Sequence, residues 1–315
     1  MSDDILDKDD PYRPIMFTRN YFDEPTKVQP YWIKSIYVKN MVGVGRPDGT
    51  ALIDVLGKPA ITGPNGYGKS LLFKLVNAVL EIAYGHSTIS LETLIGLDLP
   101  AQHLFDIVTV TTVDDNVYSL NAVDWSTGSF VFYCNETEYY ITQCRLDETA
   151  VRNPPKTACE FLPTGRVAEP IKFICELAAN IDHNIDYGFL NKWYNLMIQG
   201  IDIESTPEKA LKRYVDIPVA AGCREVGRWI ADRKLSFGEV ELLMQLMAMS
   251  SGCKIVLVDA AEIGLHLSAQ LSYMYLLSWM YQNGVQVLFT THSPQMFDMN
   301  FSNSNDLFDV FGRAE

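Results

Sequence analysis

Hydrophobic and polar residues alternate in several short stretches of the first half of the chain, and this period of two predicts β-strands. One strand is predicted at 32–38 and a second at 51–55, returning toward the run at 59–62 after a turn-rich segment. Between residues 105 and 145 four more strand-like runs follow, with short polar turns between them. These runs cover residues 107–113, 117–122, 129–134 and 139–144. Sequential strands joined by tight turns predict an antiparallel β meander.

Three other apolar runs do not alternate and therefore predict strands that are buried on both faces. They lie at 59–62, 254–258 and 285–290. Apolar residues at helical spacing follow Ser70 and, later, Ser236. Further helices are predicted at 171–179, 189–198, 207–214 and 224–233. No heptad pattern persists, so the sequence predicts no coiled-coil arms.

The segment between the first buried run and its helix has the P-loop (Walker A) pattern G-x-x-x-x-G-K-S. It reads Gly63-Pro64-Asn65-Gly66-Tyr67-Gly68-Lys69-Ser70. Backbone N–H groups of such a loop surround the α- and β-phosphates, and glycines let the chain approach them closely. Lys69 is expected to reach the β/γ oxygens, and the Ser70 hydroxyl to ligate Mg²⁺. A chance Gly-rich turn is the competing interpretation, but a strand before and a helix after favour a site for ATP and Mg²⁺.

Composition and charge argue against a membrane protein, a secreted protein and a protein that binds DNA directly. The 315 residues are 48% hydrophobic, which is enough for a sizeable core. The apolar runs are far shorter than the roughly 20 residues of a membrane span. The acidic N-terminus lacks the order of a secretion signal, and six cysteines without a C-x-x-C pair predict reduced thiols. We therefore expect a cytoplasmic protein with no membrane association. The net charge of −14 disfavours direct binding to DNA.

A Ser-Phe-Gly-Glu segment opens the predicted helix after residue 235. Ser236 is placed as an N-cap with Glu239 three residues later, so a capping box explains the pair without any further function. The longer sequence L-S-F-G-E, which includes Gly238, also resembles the ABC signature L-S-x-G-E, and that resemblance implies a helix start that contacts a nucleotide.

Two later strands end in candidate site residues. The run at 254–258 is followed by Asp259, a candidate Walker B aspartate that holds Mg²⁺ through water. The run at 285–290 is followed by Thr-His-Ser-Pro, which places His292 at a carboxyl strand end, where ligands bind in open α/β sheets. A single histidine is usually structural, but at this position His292 is a candidate sensor of the γ-phosphate.

The order P-loop, L-S-F-G-E, V-L-V-D and T-T-H-S-P resembles the ABC-type ATPases of the RecF, SMC and OLD branch. Residues 262–266 resemble the E-x-G-L-H phrase of that branch, and the resemblance covers about 33–297. It implies an α/β fold, the ABC-type ATPase head, with a mostly parallel P-loop core sheet, an antiparallel β meander and a helical insert lobe. It also implies that Ser236, Gly238 and Glu239 face a nucleotide held by another subunit.

The resemblance further implies a D-loop at residues 268–270 and a Q-loop glutamine and Mg²⁺ ligand at Gln143. The predicted organisation is a tail at 1–30 and a single ATPase domain at 31–315. Within that domain, 31–150 carries the P-loop and the antiparallel lobe, and 151–234 is the helical insert. The segment 235–315 carries the signature helix, the Walker B strand and the histidine.

The sequence departs from this branch directly after Asp259. The branch has Glu there, the general base that orients the attacking water, usually followed by Pro; this chain has Ala260 and Ala261. Losing a general base typically lowers a rate by about 10²–10⁴-fold. Two explanations stand: a natural ATP sensor that needs little hydrolysis, or a deliberate Glu→Ala change that traps an ATP-bound assembly. Glu262 as a substitute base is disfavoured because it should point along a different face.

The resemblance implies that two protomers clamp two nucleotides, each held by the P-loop of one chain and the signature of the other. Our first hypothesis is an antiphage ATPase subunit that controls a separate nuclease or toxin, because residues 293–315 are too few for a nuclease domain. The alternative is a RecF-like DNA-repair ATPase that binds DNA directly. A third hypothesis is a scaffold protein that bound nucleotide holds in one state and that has no enzymatic activity. A transporter ATPase is disfavoured by the E-x-G-L-H phrase and the long middle segment.

Overall fold

The structure is a computed structural model that describes residues 28–42, 50–83, 103–142, 145–146, 186–199, 217, 228–229, 232, 235–250, 254–262, 264–293, 296 and 304–306. The chain divides into two compact units. The P-loop unit has its described residues within Phe22–Thr164, Cys253–Ala261 and Met280–Glu315. The helical unit has its described residues within Gly165–Gly252 and Glu262–Trp279. The predicted tail and domain boundaries stay predictions.

The P-loop unit contains a seven-stranded antiparallel sheet. Its strands are β1 (Ile33–Lys39), β2 (Ala51–Asp54), β4 (Ile107–Thr112), β5 (Val117–Asp124), β6 (Ser129–Cys134), β7 (Thr137–Thr142) and β8 (Arg145–Leu146), in the order β2-β1-β4-β5-β6-β7-β8. The predicted meander is therefore confirmed. It is also extended by β1 and β2: Val38 pairs with Val108 on one side and Ala51 on the other.

A four-stranded parallel sheet forms the second layer of strands in this unit. It contains β3 (Ala60–Thr62), β9 (Ile255–Val258), β10 (Gln286–Thr290) and β11 (Ser304–Asp306) in the order β11-β3-β10-β9. Every residue of β3, β9 and β10 is buried, which explains their uninterrupted apolar runs. The predicted parallel core is confirmed. Strand β11 was not predicted, because Ser, Asn and Asp have little preference for strands.

Helix α1 (Lys69–Ala83) supplies much of the core of the P-loop unit. Its buried side chains include Leu72, Leu75 and Val79, and the helix packs against β4 and β5. Burying each such side chain contributes about 1.5–3 kcal/mol.

The two sheets are also joined by one side chain. Gln286 of β10 accepts a hydrogen bond from the Ile33 backbone N–H of β1 (2.6 Å) and donates one to the Ile33 carbonyl (2.7 Å).

A polar cluster lies just before β4. The Asp106 carboxylate accepts hydrogen bonds from Asn40 (2.5 Å) and His103 (2.6 Å). Burial raises the pKa of Asp106, but these two hydrogen bonds and the neighbouring charges of His103 and Lys39 together hold it below the ordinary value of 3.8.

The helical unit contains α2 (Tyr187–Tyr194), a π-helix (Asn195–Gln199), α3 (Phe237–Ser250) and most of α4 (Leu267–Gln282). Asp186 caps α2 by accepting from Phe189 N, and its own N–H donates to the Ser250 carbonyl at the end of α3. The helix predicted at 189–198 is confirmed as α2 and the π-helix. Those predicted at 171–179 and 207–214 lie outside the described residues, as does most of 224–233. Within the described residues, no helix is both long and apolar enough to cross a membrane.

Candidate nucleotide-binding site

The P-loop leaves β3 at Gly63 and enters α1 at Lys69, as the sequence predicted. Three glycines have positive φ angles, Gly63 at 139°, Gly66 at 83° and Gly68 at 77°, which residues with a Cβ rarely adopt. Pro64, Asn65 and Gly66 at the crest of the loop are exposed, and Tyr67 is half-buried. The loop therefore presents its backbone at the start of a helix, the arrangement that binds anions.

Lys69 lies within this loop with only 7% of its surface exposed. Its ammonium group donates hydrogen bonds to the Gly63 carbonyl (2.6 Å) and the Pro64 carbonyl (2.9 Å). Phosphate oxygens are stronger acceptors for an ammonium group than neutral carbonyls, so a triphosphate can replace these partners. Ser70, in the first turn of α1, is exposed.

Asp259 is held in place by a threonine on the neighbouring strand. The pairing of Val258 with Phe289 brings the next two residues, Asp259 and Thr290, side by side. The Thr290 hydroxyl donates to the Asp259 carboxylate at 2.5 Å, and Asp259 is 4% exposed. A hydrogen bond to a buried carboxylate is worth about 1.5–3 kcal/mol. Sequence reasoning missed Thr290, although the parallel pairing of these two runs could have indicated it.

The same hydroxyl fixes the backbone at Ala260, the position where the resemblance implies a glutamate. Thr290 Oγ1 accepts from Ala260 N (2.7 Å), and the Thr290 carbonyl accepts from Ala261 N (3.0 Å). Ala260 has φ of 50°, a left-handed conformation that is about 1–2 kcal/mol unfavourable for residues other than glycine. Such conformations persist where surrounding contacts enforce them, and they cluster at functional sites.

Three neighbouring strands deliver candidate residues to one sheet edge. Strand β10 lies between β3 and β9, and all three are parallel. Their carboxyl ends lead to Gly63, His292 and Asp259, so these residues follow adjacent strands at the same edge. His292 is exposed, while Thr291 before it is buried and its hydroxyl accepts from Ser293 N (3.0 Å).

The predicted signature residues belong to the helical unit and form the capping box. The hydroxyl and backbone N–H of Ser236 both donate to the Glu239 carboxylate at 2.7 Å, and Glu239 N lies 3.4 Å from the Ser236 hydroxyl. Gly238 is buried, and an added Cβ would collide with the Gly264 carbonyl oxygen at 1.9 Å. Gly264 itself belongs to the E-x-G-L-H phrase.

The described donors fit magnesium carried by a nucleotide rather than a dedicated metal cage. No group of three or more His, Cys, Asp or Glu side chains comes together within the described ranges. Mg²⁺ in ATPases is held by one or two protein groups together with phosphate oxygens and water. Ser70 and Asp259 suit this chemistry, while Gln143 lies outside the described residues.

One family model matches part of the chain. A family described as "AAA domain, putative AbiEii toxin, Type IV TA system" matches residues 221–298, a stretch that contains the signature, the Walker B strand and His292. No curated protein matches the chain.

Similar solved structures include an SMC head bound to the C-winged helix domain of ScpA, 12% identical over 85% of this chain and 92% of that chain, with a TM-score of 0.45. The SMC head domain from Thermotoga maritima is 14% identical, with the same coverage and a TM-score of 0.41. A nucleotide-free ATP-binding cassette from an ABC transporter is 14% identical over 85% of this chain and 84% of that chain, with a TM-score of 0.30.

The P-loop on a parallel sheet and the aspartate at the end of β9 give the chain the fold of a P-loop ATPase, and the family that matches residues 221–298 is described as an AAA domain. The added antiparallel sheet and the order of the motifs are similar to those of ABC-type ATPases of the SMC and RecF kind, the resemblance found in the sequence.

Proposed function

We propose that this chain binds ATP with Mg²⁺ and that two copies clamp two nucleotides between them. The observation that supports this most is the delivery of the P-loop, His292 and Asp259 to one edge of the parallel sheet by three adjacent strands. In the clamp, each nucleotide is held by the P-loop of one copy and by the signature helix of the other.

The proposed roles follow from the chemistry of each group. Lys69 binds β/γ oxygens, Ser70 and Asp259 hold Mg²⁺, and His292 senses the γ-phosphate. In the single chain the Ser236 hydroxyl donates to Glu239, so the partner's phosphate must replace or share that acceptor. Charge-assisted contacts contribute about 1.5–3 kcal/mol each. Two that are lost on conversion to ADP would weaken association by about 10²–10⁴-fold.

Slow hydrolysis is the second part of the proposal. The methyl group of Ala260 cannot accept a proton from water, whereas phosphate and Mg²⁺ binding depend on other residues. We expect Ala260→Glu to raise steady-state phosphate release by about 10²–10⁴-fold, equivalent to about 3–5 kcal/mol. Ala260→Gln is the matched control, because the glutamine side chain has the same size as glutamate but its amide cannot act as a general base. Equal rates for the original chain and the Glu variant would contradict this part.

We further propose that the ATP-held dimer controls a separate nuclease or toxin in bacterial antiphage defence. The matching family is described as a putative AbiEii toxin of a Type IV toxin–antitoxin system, and because such a system has two components, this supports action together with a partner. The test is plating efficiency of phage on cells that carry this chain with its neighbouring reading frames. Protection that is lost in Lys69→Ala cells supports the proposal, and equal protection contradicts it.

Gel shifts with the purified chain distinguish this role from direct DNA binding. A RecF-like protein would shift duplex DNA in gels, with a steep loss of binding between about 50 and 200 mM salt. The net charge of −14 predicts no shift at either concentration.

A further inference from the structure

Two Asn-Gly pairs occur in the sequence, at 65–66 in the P-loop and at 283–284 after α4. In an Asn-Gly pair the asparagine loses its side-chain amide readily, because glycine has no side chain to shield its backbone nitrogen. That nitrogen attacks the asparagine side chain, so the reaction needs a free glycine N–H and room for a five-membered ring. The two pairs can therefore be compared by what surrounds each glycine nitrogen.

The pair in the P-loop meets both requirements. Asn65 and Gly66 are exposed, and a Cβ built on Gly66 has nothing within 4 Å beyond its chain neighbours. Among the contacts of the described residues, neither the Asn65 side chain nor the Gly66 N–H has a hydrogen-bond partner. A P-loop binds phosphate through such free N–H groups, so the feature that suits Gly66 to a phosphate also suits it to attack Asn65.

The second pair has the same glycine conformation but a bonded nitrogen. Gly284 has φ of 86°, against 83° for Gly66. In the turn that follows α4, the Gly284 N–H donates to the Tyr281 carbonyl (3.1 Å), and Gly284 is half-buried. Asn283 is exposed, as Asn65 is. The second pair is therefore an internal control that differs from the first mainly in whether the glycine N–H is bonded.

We propose that Asn65 is a site of spontaneous deamidation that inactivates chains whose P-loop is empty. The Gly66 nitrogen loses its proton to solvent base and bonds to Asn65 Cγ, whose bond to the amide nitrogen breaks, so that ammonia leaves. Water then opens the cyclic imide and leaves an aspartyl or isoaspartyl residue at position 65. One water is consumed and one ammonia is released, and the reaction needs no oxidant or reductant.

The products oppose nucleotide binding. Either one places a negative charge in a loop that surrounds phosphates, and the isoaspartyl residue also adds a methylene group to the backbone. Bound phosphate, in contrast, engages the Gly66 N–H and blocks the first step of the reaction. Chains that hold nucleotide therefore keep their capacity to bind it, and empty chains lose that capacity with time. This consequence rests on the proposed function, whereas the reaction at Asn65 does not.

The first experiment incubates the full chain at mildly alkaline pH and maps its peptides by mass spectrometry, where deamidation adds about 1 Da. Without nucleotide we expect position 65 to react about 3–10-fold faster than position 283, because the Gly284 N–H must first give up its hydrogen bond. Mg·ATP should slow the reaction at position 65 by a similar factor and leave position 283 unchanged. Equal rates at the two positions in the empty chain would overturn the inference.

The second experiment measures binding of labelled ATP before and after the same incubation. We expect the loss of binding to follow the modified fraction at position 65, and Asn65→Asp to bind about 10–100-fold more weakly from the start. Asn65→Gln, judged against its own initial binding, should lose none of it, because glutamine would have to form a larger ring. Asn283→Gln is the matched control and should lose binding at the rate of the original chain.

The outcomes separate this inference from the proposed function. If the fresh chain binds Mg·ATP, then undiminished binding after modification of position 65, or no protection of that position by Mg·ATP, would overturn the inference. Failure of the fresh chain to bind Mg·ATP would instead contradict the proposed function. The relative rates at positions 65 and 283 would then still decide whether Asn65 is the reactive site.

Discussion

Replacing Thr290 with valine tests the contact that organises the Walker B end of the site. The threonine hydroxyl serves two partners, the Asp259 carboxylate and the Ala260 N–H, and Thr290 is 1% exposed. Valine has nearly the same shape but lacks the hydroxyl. The substitution therefore leaves a buried carboxylate without this donor and a buried N–H without this acceptor.

The magnitude follows from these two losses. The bond to the carboxylate is worth about 1.5–3 kcal/mol, and an unsatisfied buried N–H costs about 1–3 kcal/mol. We expect Thr290→Val to lower the free energy of unfolding by the sum of the two, about 2.5–6 kcal/mol. Thr290→Ser keeps the hydroxyl and removes one methyl group, for which we expect about 1 kcal/mol. Loss of the hydrogen-bond partner that orients a metal ligand typically lowers metal affinity by about 10–100-fold. If Asp259 binds Mg²⁺ as proposed, the Mg²⁺ concentration needed for ATP binding should rise by about that factor in Thr290→Val.

The assay is urea unfolding followed by fluorescence, paired with titration of Mg²⁺ in the presence of labelled ATP. Comparison of the valine and serine variants isolates the hydroxyl. Neutral surface substitutions change the free energy of unfolding by up to about 0.5 kcal/mol. A difference between the valine and serine variants no larger than that would refute the reasoning.

Three further predictions concern other contacts. Gln286→Leu leaves the buried N–H and carbonyl of Ile33 without this partner, so urea unfolding should show a loss of about 2–5 kcal/mol. The pKa of Asp106 is lower in the folded protein than the ordinary 3.8 of the unfolded chain. The ionised carboxylate therefore stabilises the fold above the unfolded pKa, and this stabilisation is lost as the pH falls through the folded pKa. Asp106→Asn should therefore flatten the loss of stability in that acid range, measured as urea midpoints from neutral to acid pH. Gly66→Ala and Gly57→Ala have similar positive φ angles and open space around an added Cβ. Both should lose about 1–2 kcal/mol of stability, but only the Gly66 change should weaken binding of labelled ATP.

The strands that could be predicted were those whose pattern reflects burial. The apolar runs at β9 and β10 and the alternation in β4 to β6 were sufficient because each is set by which faces meet the core. Strand β11 was missed, since its polar residues gain their place from pairing with β3 rather than from their own preferences. The strand predicted at 51–55 is present as β2, and its pairing with β1 could not be read from the sequence.

The site was predictable where a motif fixes both spacing and conformation, as in the P-loop. Thr290 was missed because its role depends on the register between two strands distant in sequence. The left-handed Ala260 and the contact between Gly238 and Gly264 depend on backbone geometry that no residue pattern encodes. The signature serine and glutamate were correctly placed in a capping box, and their role toward a partner's nucleotide stays a prediction.

Mass measurement of the full chain with and without Mg·ATP tests the central proposal most directly. We expect single chains without nucleotide or with Mg·ADP, and a species of twice that mass with Mg·ATP that persists because Ala260 slows turnover. Lys69→Ala, which removes the ammonium group from the P-loop, should remain monomeric under all three conditions. A nucleotide-independent dimer, or a chain that binds Mg·ATP and stays monomeric, would contradict the account.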